Sequence, residues 1–368
     1  MNSVGIIAEY NPFHNGHLYQ INKVKELFPG YTIIVVMSGN YTERGDISLM
    51  DKYTKTKICL DNGIDLVVEL PFQYATSSSD YFAKGAIEIL NELNVNYLVF
   101  GSESNDLDKL NEIVELDNNK EFNDKIKTYL KEGLSYRDSY NKALNDYNYN
   151  LDNNPNDILG ICYLKELKKT KSNIIPYPIK RTNDYNDTEL NDSITSALSI
   201  RSNLDKDISK YIPYNQNLIN NRTINDFYNE LKYHVLLKDL SLYEGVDNYI
   251  ENNLSKYIFD YSNIDDLINK IKSKNYSYLH IKRCILHIIT GYTKKINEVL
   301  LNKNHVRVLG FNKKGQEYLN SIKDETNIIT KFDKDNIILQ NELKVSNIYY
   351  DKYNKELINS EYKKEPIK

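Results

Sequence analysis

The chain has 368 residues, 40% of them hydrophobic, with three cysteines and a formal net charge of −4. That length leaves room for two cores, and the scattered cysteines exclude both a disulfide framework and a Cys-x-x-Cys metal site. No apolar run approaches the length of a membrane span, and without a charged-then-apolar leader the expected setting is the cytoplasm.

Val4 to Ala8 reads as a short buried strand, and behind it Leu18, Ile21, Val24, Leu27 and Phe28 recur at helical spacing. Between them, Asn11-Pro-Phe-His14-Asn-Gly16-His17 sets two imidazoles three residues apart at the strand-to-helix junction. Unpaired N–H groups of a first helical turn, with the positive end of the helix dipole, make such a junction a phosphate site. Gly16 lets the backbone approach a ligand closely. Ordinary capping or core histidines are the alternative. Zinc is disfavoured because Cys59, Cys162 and Cys284 stand alone.

Further strands are predicted at Tyr31–Met37, Leu66–Leu70, Tyr97–Phe100 and Ile174–Ile179, with helices at Lys52–Asp61 and Tyr81–Leu93 and a longer, polar, peripheral helical stretch over Leu107–Leu144. This alternation predicts an α/β fold, a Rossmann-like, mostly parallel sheet covered on both faces, with ligands beyond the carboxyl ends of its strands. Polar, glycine-marked turns cluster at those ends: Ser38-Gly39-Asn40, the loop Tyr41 to Asp46, Glu69-Leu70-Pro71 and Gly101-Ser102-Glu103. Each could be a simple turn; together they outline one crevice. Asn153-Asn-Pro-Asn156 starts a helix, so capping alone would explain Asn156. Lys180-Arg181 ends the fifth strand. The run Ser193 to Arg201 joins hydroxyls, Ser196 among them, to a guanidinium, which suits phosphate oxygens or a plain helix cap.

Beyond residue 205 the alternation stops. Leu231, Val235, Leu236 and Leu240, then Leu254, Ile258, Leu267 and Ile271, then Ile281, Ile285 and Ile288 predict a mostly α-helical second domain, 206–368, after a nucleotide-binding domain, 1–205. Val306–Phe311 and Ile338–Val345 read as short strands or extended segments. Residues 270 to 314 carry eleven Lys and Arg against one acid, Glu298, with Tyr276, Tyr278, Tyr292 and Phe311 interspersed. Such a stripe could track a nucleic acid or be a solvated helix face. Lys282, Arg283 and Lys313 represent it here as candidate RNA contacts.

The stretch Gly5 to Leu18 resembles the His-x-Gly-His signature of the nucleotidylyltransferase superfamily. In order, Met37 to Asp46, Asp65 to Pro71, Phe82 to Ala86, Phe100 to Glu103, Pro155 to Gly160, Lys180-Arg181, Ser196 to Arg201 and Val306 to Gly315 are similar to the tRNA(Met) cytidine acetate ligase family over nearly the full chain. The resemblance implies that ATP adenylates acetate, releasing pyrophosphate, and that the acetyl group passes to the exocyclic amine of the wobble cytidine of elongator tRNA(Met). It implies His14 and His17 as catalytic residues on the phosphates. The implied ATP site is Ile7, Ala8, Glu9, Tyr10, Asn11, Pro12, Phe13, His14, Asn15, Gly16, His17, Leu18, Tyr19 and Gln20, with Gly101, Asn156 and Arg181; Ser196 and Arg201 are added from the superfamily's second phosphate motif. Mg2+ is expected with the triphosphate, its protein ligands unknown. Glu43, Tyr53, Lys55 and Leu198 depart from the family pattern, which has Gln, Trp, Arg and Thr there. The alternative reading is a small-molecule adenylyl- or cytidylyltransferase.

Overall fold

The computed structural model describes residues 1–151, 154–181, 190, 194–324 and 326–368; Asn153 and Ser193 lie outside these described residues. Its strands are β1 (Ser3–Ala8), β2 (Thr32–Ser38), β3 (Leu66–Leu70), β4 (Tyr97–Ser102), β5 (Ile175–Lys180), β6 (Val306–Phe311) and β7 (Ile328–Ile329). They make one sheet in the order β5-β4-β1-β2-β3-β6-β7. The first five are mutually parallel. β6 runs antiparallel to β3, and β7 pairs parallel to β6.

Side chains alternate between the sheet faces with the period of two that a pleated strand imposes. Ile34, Val36, Leu66, Val68 and Leu98 pack with Ala83, Ile87 and Leu90 of the helix Ser79–Glu92 on one face. Ile33, Val35, Met37, Val67 and Val99 pack with Ile21, Val24, Ile58 and Cys59 of the helices Asn15–Leu27 and Lys52–Asp61 on the other. Both faces are therefore covered, as a parallel sheet requires.

Two sequence expectations are corrected. The stretch 107–144 is three helices, Leu107–Leu116, Lys120–Lys131 and Tyr136–Asn145, because Asn119 and Ser135 each accept first-turn N–H groups and start a new helix. Ile338–Val345 is neither strand nor extended: it belongs to the helix Ile337–Tyr353, capped by Asn336. Its apolar spacing runs on through Tyr349, so Ile338, Val345 and Tyr349 all enter the helical core.

That core is built from Ile224 to Leu300 together with the last long helix, and it also takes in Tyr41, Ile47 and Phe72 from the sheet's own loops. Residue 205 marks the end of strand–helix alternation but not of the sheet, since β6 and β7 return to it after the helical region.

A buried ionic knot fastens this return. Lys52 Nζ lies 2.6 Å from Glu69 Oε1 and 2.7 Å from Glu361 Oε1, while Arg307 Nη1 lies 3.0 Å from Glu69 Oε2 and its Nη2 reaches Glu361. Tyr53 donates its hydroxyl to Glu361 at 3.2 Å. Burial works to raise the Glu361 carboxyl, but Lys52 and Arg307 outweigh it and hold the group at about 2. Removing one partner of a buried pair strands the others, at a cost of about 3–5 kcal/mol. Glu361→Ala should therefore lower stability by about that much in a denaturant titration near neutral pH. Because the folded value lies below the ordinary 4.5, the contribution is complete above about pH 4.5 and fades as pH falls toward 2. The variant's stability should accordingly vary less than wild type's across that window.

Candidate active site

The chain runs from β1 to β2 and β3 on one side, then returns to place β4 on the other side of β1. Such a reversal leaves a crevice at the carboxyl ends of the two strands. Here it is a cleft of about 1520 Å3, floored by the ends of β1, β4 and β5.

At the end of β1, Tyr10 turns the chain with φ +49°, and the Asn11–Pro12 peptide is cis. Asn11 ties this turn to its surroundings: its Oδ1 accepts the Leu49 N–H at 2.8 Å, and its carbonyl accepts Arg201 Nη1 at 2.6 Å. His14 is the N-cap of the helix Asn15–Leu27, and its Nδ1 accepts the Gly16 N–H at 3.0 Å. His17, in the first turn, reaches back so that its Nδ1 accepts the His14 N–H at 3.2 Å. The capping reading of the histidines thus holds in the geometry, and it also arms the site. A Cβ on Gly16 would stand 2.7 Å from His14 Cε1, so the glycine makes room for the imidazole as well as for a ligand.

His14 is buried and His17 half-buried in the cleft wall, with ring centroids 3.8 Å apart. Burial, then the charges of Arg181 and Arg201, lower His14 to about 3. Burial, His14 and Arg181 push His17 well below its usual value. The rings are therefore neutral at physiological pH. A neutral ring whose Nδ1 accepts a backbone hydrogen carries its own proton on Nε2. The result is two adjacent uncharged N–H donors at the positive end of a helix.

Across the cleft, Arg181 follows β5, and its Nη1 donates to Asn156 Oδ1 at 3.4 Å. A reciprocal carboxylate brace sets this wall. Glu103 Oε2 accepts the Asp157 N–H at 2.8 Å, and Asp157 accepts the N–H groups of Glu103 and Ser104 at 3.1 and 3.0 Å. The β4 loop and the helix Pro155–Lys169 thereby cap each other. Gly101 sits beside Arg181, where a Cβ would be 3.4 Å from Arg181 Cγ. Ser196 caps the short helix Ala197–Ser202, accepting the Ser199 N–H at 3.0 Å. Gly101, Asn156, Arg181, Ser196 and Arg201 all line the cleft, as does Leu198.

From Ile7 to Gln20, four of the residues expected at the ATP site do not line the cleft: Pro12, Phe13, Asn15 and Leu18. Phe13 is fully buried and packs edge-on against Tyr10 at 4.9 Å; Asn15 donates outward to the Lys210 carbonyl at 2.9 Å. The basic candidates also separate. Arg283 lines the cleft and reaches Glu43 Oε1 at 3.2 Å. Lys282 is only 9% exposed and lies 2.7 Å from Asp46 Oδ2, so it is a strut between the loop and a helix, not part of an open basic stripe. Lys313 is exposed at the start of the helix Lys313–Ile322, away from the cleft. Lys55, fully buried, donates to the carbonyls of Glu9, Ser38 and Gly39 at 2.9, 2.8 and 2.7 Å, which joins the ends of β1 and β2 and rules out a phosphate contact there.

Sequence reasoning passed over the role of Glu9, which lies between the histidines and the loop 39–46. Its Oε1 accepts the Glu43 N–H at 2.7 Å. Burial, against that hydrogen bond, raises its carboxyl to about 7. An acid residue at the exit of the first strand was the available signal. Among the described residues no group of three or more His, Cys, Asp or Glu could hold a metal, and the imidazole N–H groups of His14 and His17 and the guanidinium of Arg181 in the cleft are donors, which do not ligate Mg2+. With a folded value above the ordinary 4.5, Glu9 loses stability for the fold as pH rises through about 4.5 to 7. Glu9→Gln keeps the acceptor oxygen and should raise the melting temperature at pH 8 while leaving it nearly unchanged at pH 4.5.

The same architecture is found in known proteins. The family model for HIGH nucleotidyl transferases matches residues 1–365. A relative from Clostridium perfringens named tRNA(Met) cytidine acetate ligase is 40% identical over the whole chain and 99% of its own length. One from Caldicellulosiruptor saccharolyticus with the same name is 38% identical over the whole chain and 98% of its own. The crystal structure of Thermotoga maritima TmcAL bound with alpha-thio ATP superposes with a TM-score of 0.88 at 26% identity, covering all of this chain and 99% of that one; the apo form gives 0.90 at 27%. With full-length matches to both the family model and these relatives, the chain belongs to the HIGH nucleotidyl transferases and, among them, to the tRNA(Met) cytidine acetate ligase family.

Proposed function

We propose that the chain is an ATP-dependent ligase that makes acetylcytidine in tRNA. An acetate oxygen attacks the α-phosphorus of ATP, the bond to the β-phosphate breaks, and acetyl-adenylate and pyrophosphate result. The exocyclic amine of the wobble cytidine of elongator tRNA(Met) then attacks the acetyl carbonyl; an amide forms, AMP leaves and the amine loses a proton. The observation that carries this reading is the pair of neutral imidazoles, His14 and His17, held at a helix N-terminus opposite Arg181 in a chain of this family.

Charge accumulates on the phosphate oxygens when a carboxylate approaches the α-phosphorus, and preorganised donors stabilise it most. Two Nε2–H groups serve here without having to lose a proton or to be desolvated as cations. Arg181, oriented by Asn156, supplies the fixed charge, and Arg201 holds the strand-to-helix turn through the Asn11 carbonyl. Mg2+ belongs to this reading as a companion of the triphosphate, bound by phosphate oxygens and water. The helical region 206–305 is assigned to the RNA, with Arg283 at the cleft as a contact, and Lys313, beyond β6 on the outer surface, is assigned as a further contact. Free, buried Cys59, Cys162 and Cys284 suit the cytoplasmic setting expected for it. Transfer to a small molecule is the weaker alternative, because the cleft continues past the histidines to the helical region.

The test is acetate-dependent exchange of pyrophosphate with ATP, run with and without unmodified elongator tRNA(Met), together with mass detection of acetylcytidine. Acetate dependence and acetylcytidine are expected; turnover indifferent to both acetate and tRNA would reject the assignment. His17→Ala should reduce exchange about 100-fold or more, the usual effect of removing one preorganised donor. Its tRNA affinity should stay near wild type.

A further inference from the structure

A cleft of about 1520 Å3 exceeds what one nucleotide fills, since drug-sized ligands occupy roughly 300–1,000 Å3. Beyond the histidines it passes Glu9 and Glu43, then Ser79, whose hydroxyl donates to Glu43 Oε1 at 3.4 Å, and then Asp80. It ends between two walls from distant parts of the chain. One is the start of the helix Tyr136–Asn145; the other is the segment 273–283, with Lys274, His280 and Arg283. The walls approach closely, a Cβ on Gly133 being 3.8 Å from Lys274 Nζ.

The two walls differ in chemistry. On the first, Tyr136 is 66% exposed and stacks on Tyr140, with centroids 6.2 Å apart and planes 29° off parallel. Tyr140 is fixed by donating to Asp117 Oδ1 at 3.0 Å, and Asp117 is neutralised by Lys165 at 2.6 Å. A largely exposed aromatic ring, backed by a second ring that is itself anchored on the core, suits an unpaired base. The second wall carries the exposed cation Lys274 and, at the cleft, Arg283, which is paired with Glu43 at 3.2 Å; such N–H donors suit a phosphodiester backbone.

We infer that this outer lobe is the acceptor-loop subsite: an unpaired base next to the reacting cytidine stacks on Tyr136, and the strand's phosphates lie along Lys274 and Arg283. The cytidine itself turns inward past Glu43 toward the histidines. The inference rests on the RNA-acetylating reading but concerns binding, so it can be tested apart from it. Base–aromatic stacking is lost with the ring and is recovered by another ring.

The experiment measures affinity for the unmodified anticodon stem-loop of elongator tRNA(Met) by fluorescence anisotropy, alongside acetate-dependent pyrophosphate exchange. Tyr136→Ala should weaken RNA binding about tenfold, and Tyr136→Trp should restore it. Lys274→Ala should reduce the slope of log affinity against log salt by about one. Unchanged RNA affinity in Tyr136→Ala, or a loss that Trp does not restore, would overturn the subsite. If wild type binds the stem-loop through Tyr136 but shows no acetate-dependent exchange and no acetylcytidine, the subsite stands and the reaction assigned above falls.

Discussion

Lys52, Glu69, Arg307 and Glu361 meet in the interior from four separate stretches of chain, and two positive and two negative charges balance there. Such a knot contributes little over a well-packed apolar core, because desolvating each ion offsets most of the attraction. Its consequence is positional. None of the four can leave without stranding the others, so β6 must sit on β3 and the C-terminal turn must close over the sheet. Glu342, raised to about 8 by burial and by the neighbouring Glu69, stays protonated near neutral pH and keeps the balance. Its Oε1 also accepts the Phe72 N–H at 2.6 Å, which ties the last long helix to the exit of β3.

From that anchor the helical region reaches back over the nucleotide loops. Tyr41 donates to the Val345 carbonyl at 2.7 Å and Tyr349 to the Ser48 carbonyl at 3.0 Å. The turn at Gly45, with φ +72°, lies against the helix Tyr278–Thr290 so closely that a Cβ would be 2.6 Å from the Arg283 nitrogen. Lys282 and Arg283 then pair with Asp46 and Glu43. The loop that closes one side of the cleft is thus held by the region assigned to the acceptor RNA. That region and the histidines line the same cleft.

Within the cleft the governing fact is neutrality. A cationic histidine would attract a triphosphate more strongly, but it would hold ground state and transition state alike. Burial beside Arg181 removes that charge, and the backbone hydrogen bonds to each Nδ1 orient the remaining proton. The fixed charges stand across the cleft, where the carboxylate brace between Glu103 and Asp157 keeps the β4 loop and the next helix in register.

Much was legible in the sequence because it is local. The five parallel strands, the helix after the histidines and the crevice at the strand ends follow from alternation, helical spacing and glycine-marked turns, all of which act over a few residues. The motif also disclosed where its histidines stand, at a helix N-terminus that lines the cleft, because such a terminus exposes its N–H groups wherever it occurs. Contact between distant segments was not legible. Ile338–Val345 looked extended until its apolar positions were seen to face a core, Lys282 looked like a free cation until Asp46, far along the chain, proved to hold it, and the three carbonyls that hold Lys55 left no mark in the sequence. The sequence by itself determined the five parallel strands, the helices that follow them along the chain and the histidine turn, since backbone geometry and local hydrogen bonding decide those. Only the tertiary structure decided which charges are buried and paired, that β6 completes the sheet, and how far the cleft extends, because each of these is a balance of desolvation and packing among residues that have no neighbour relation in the chain.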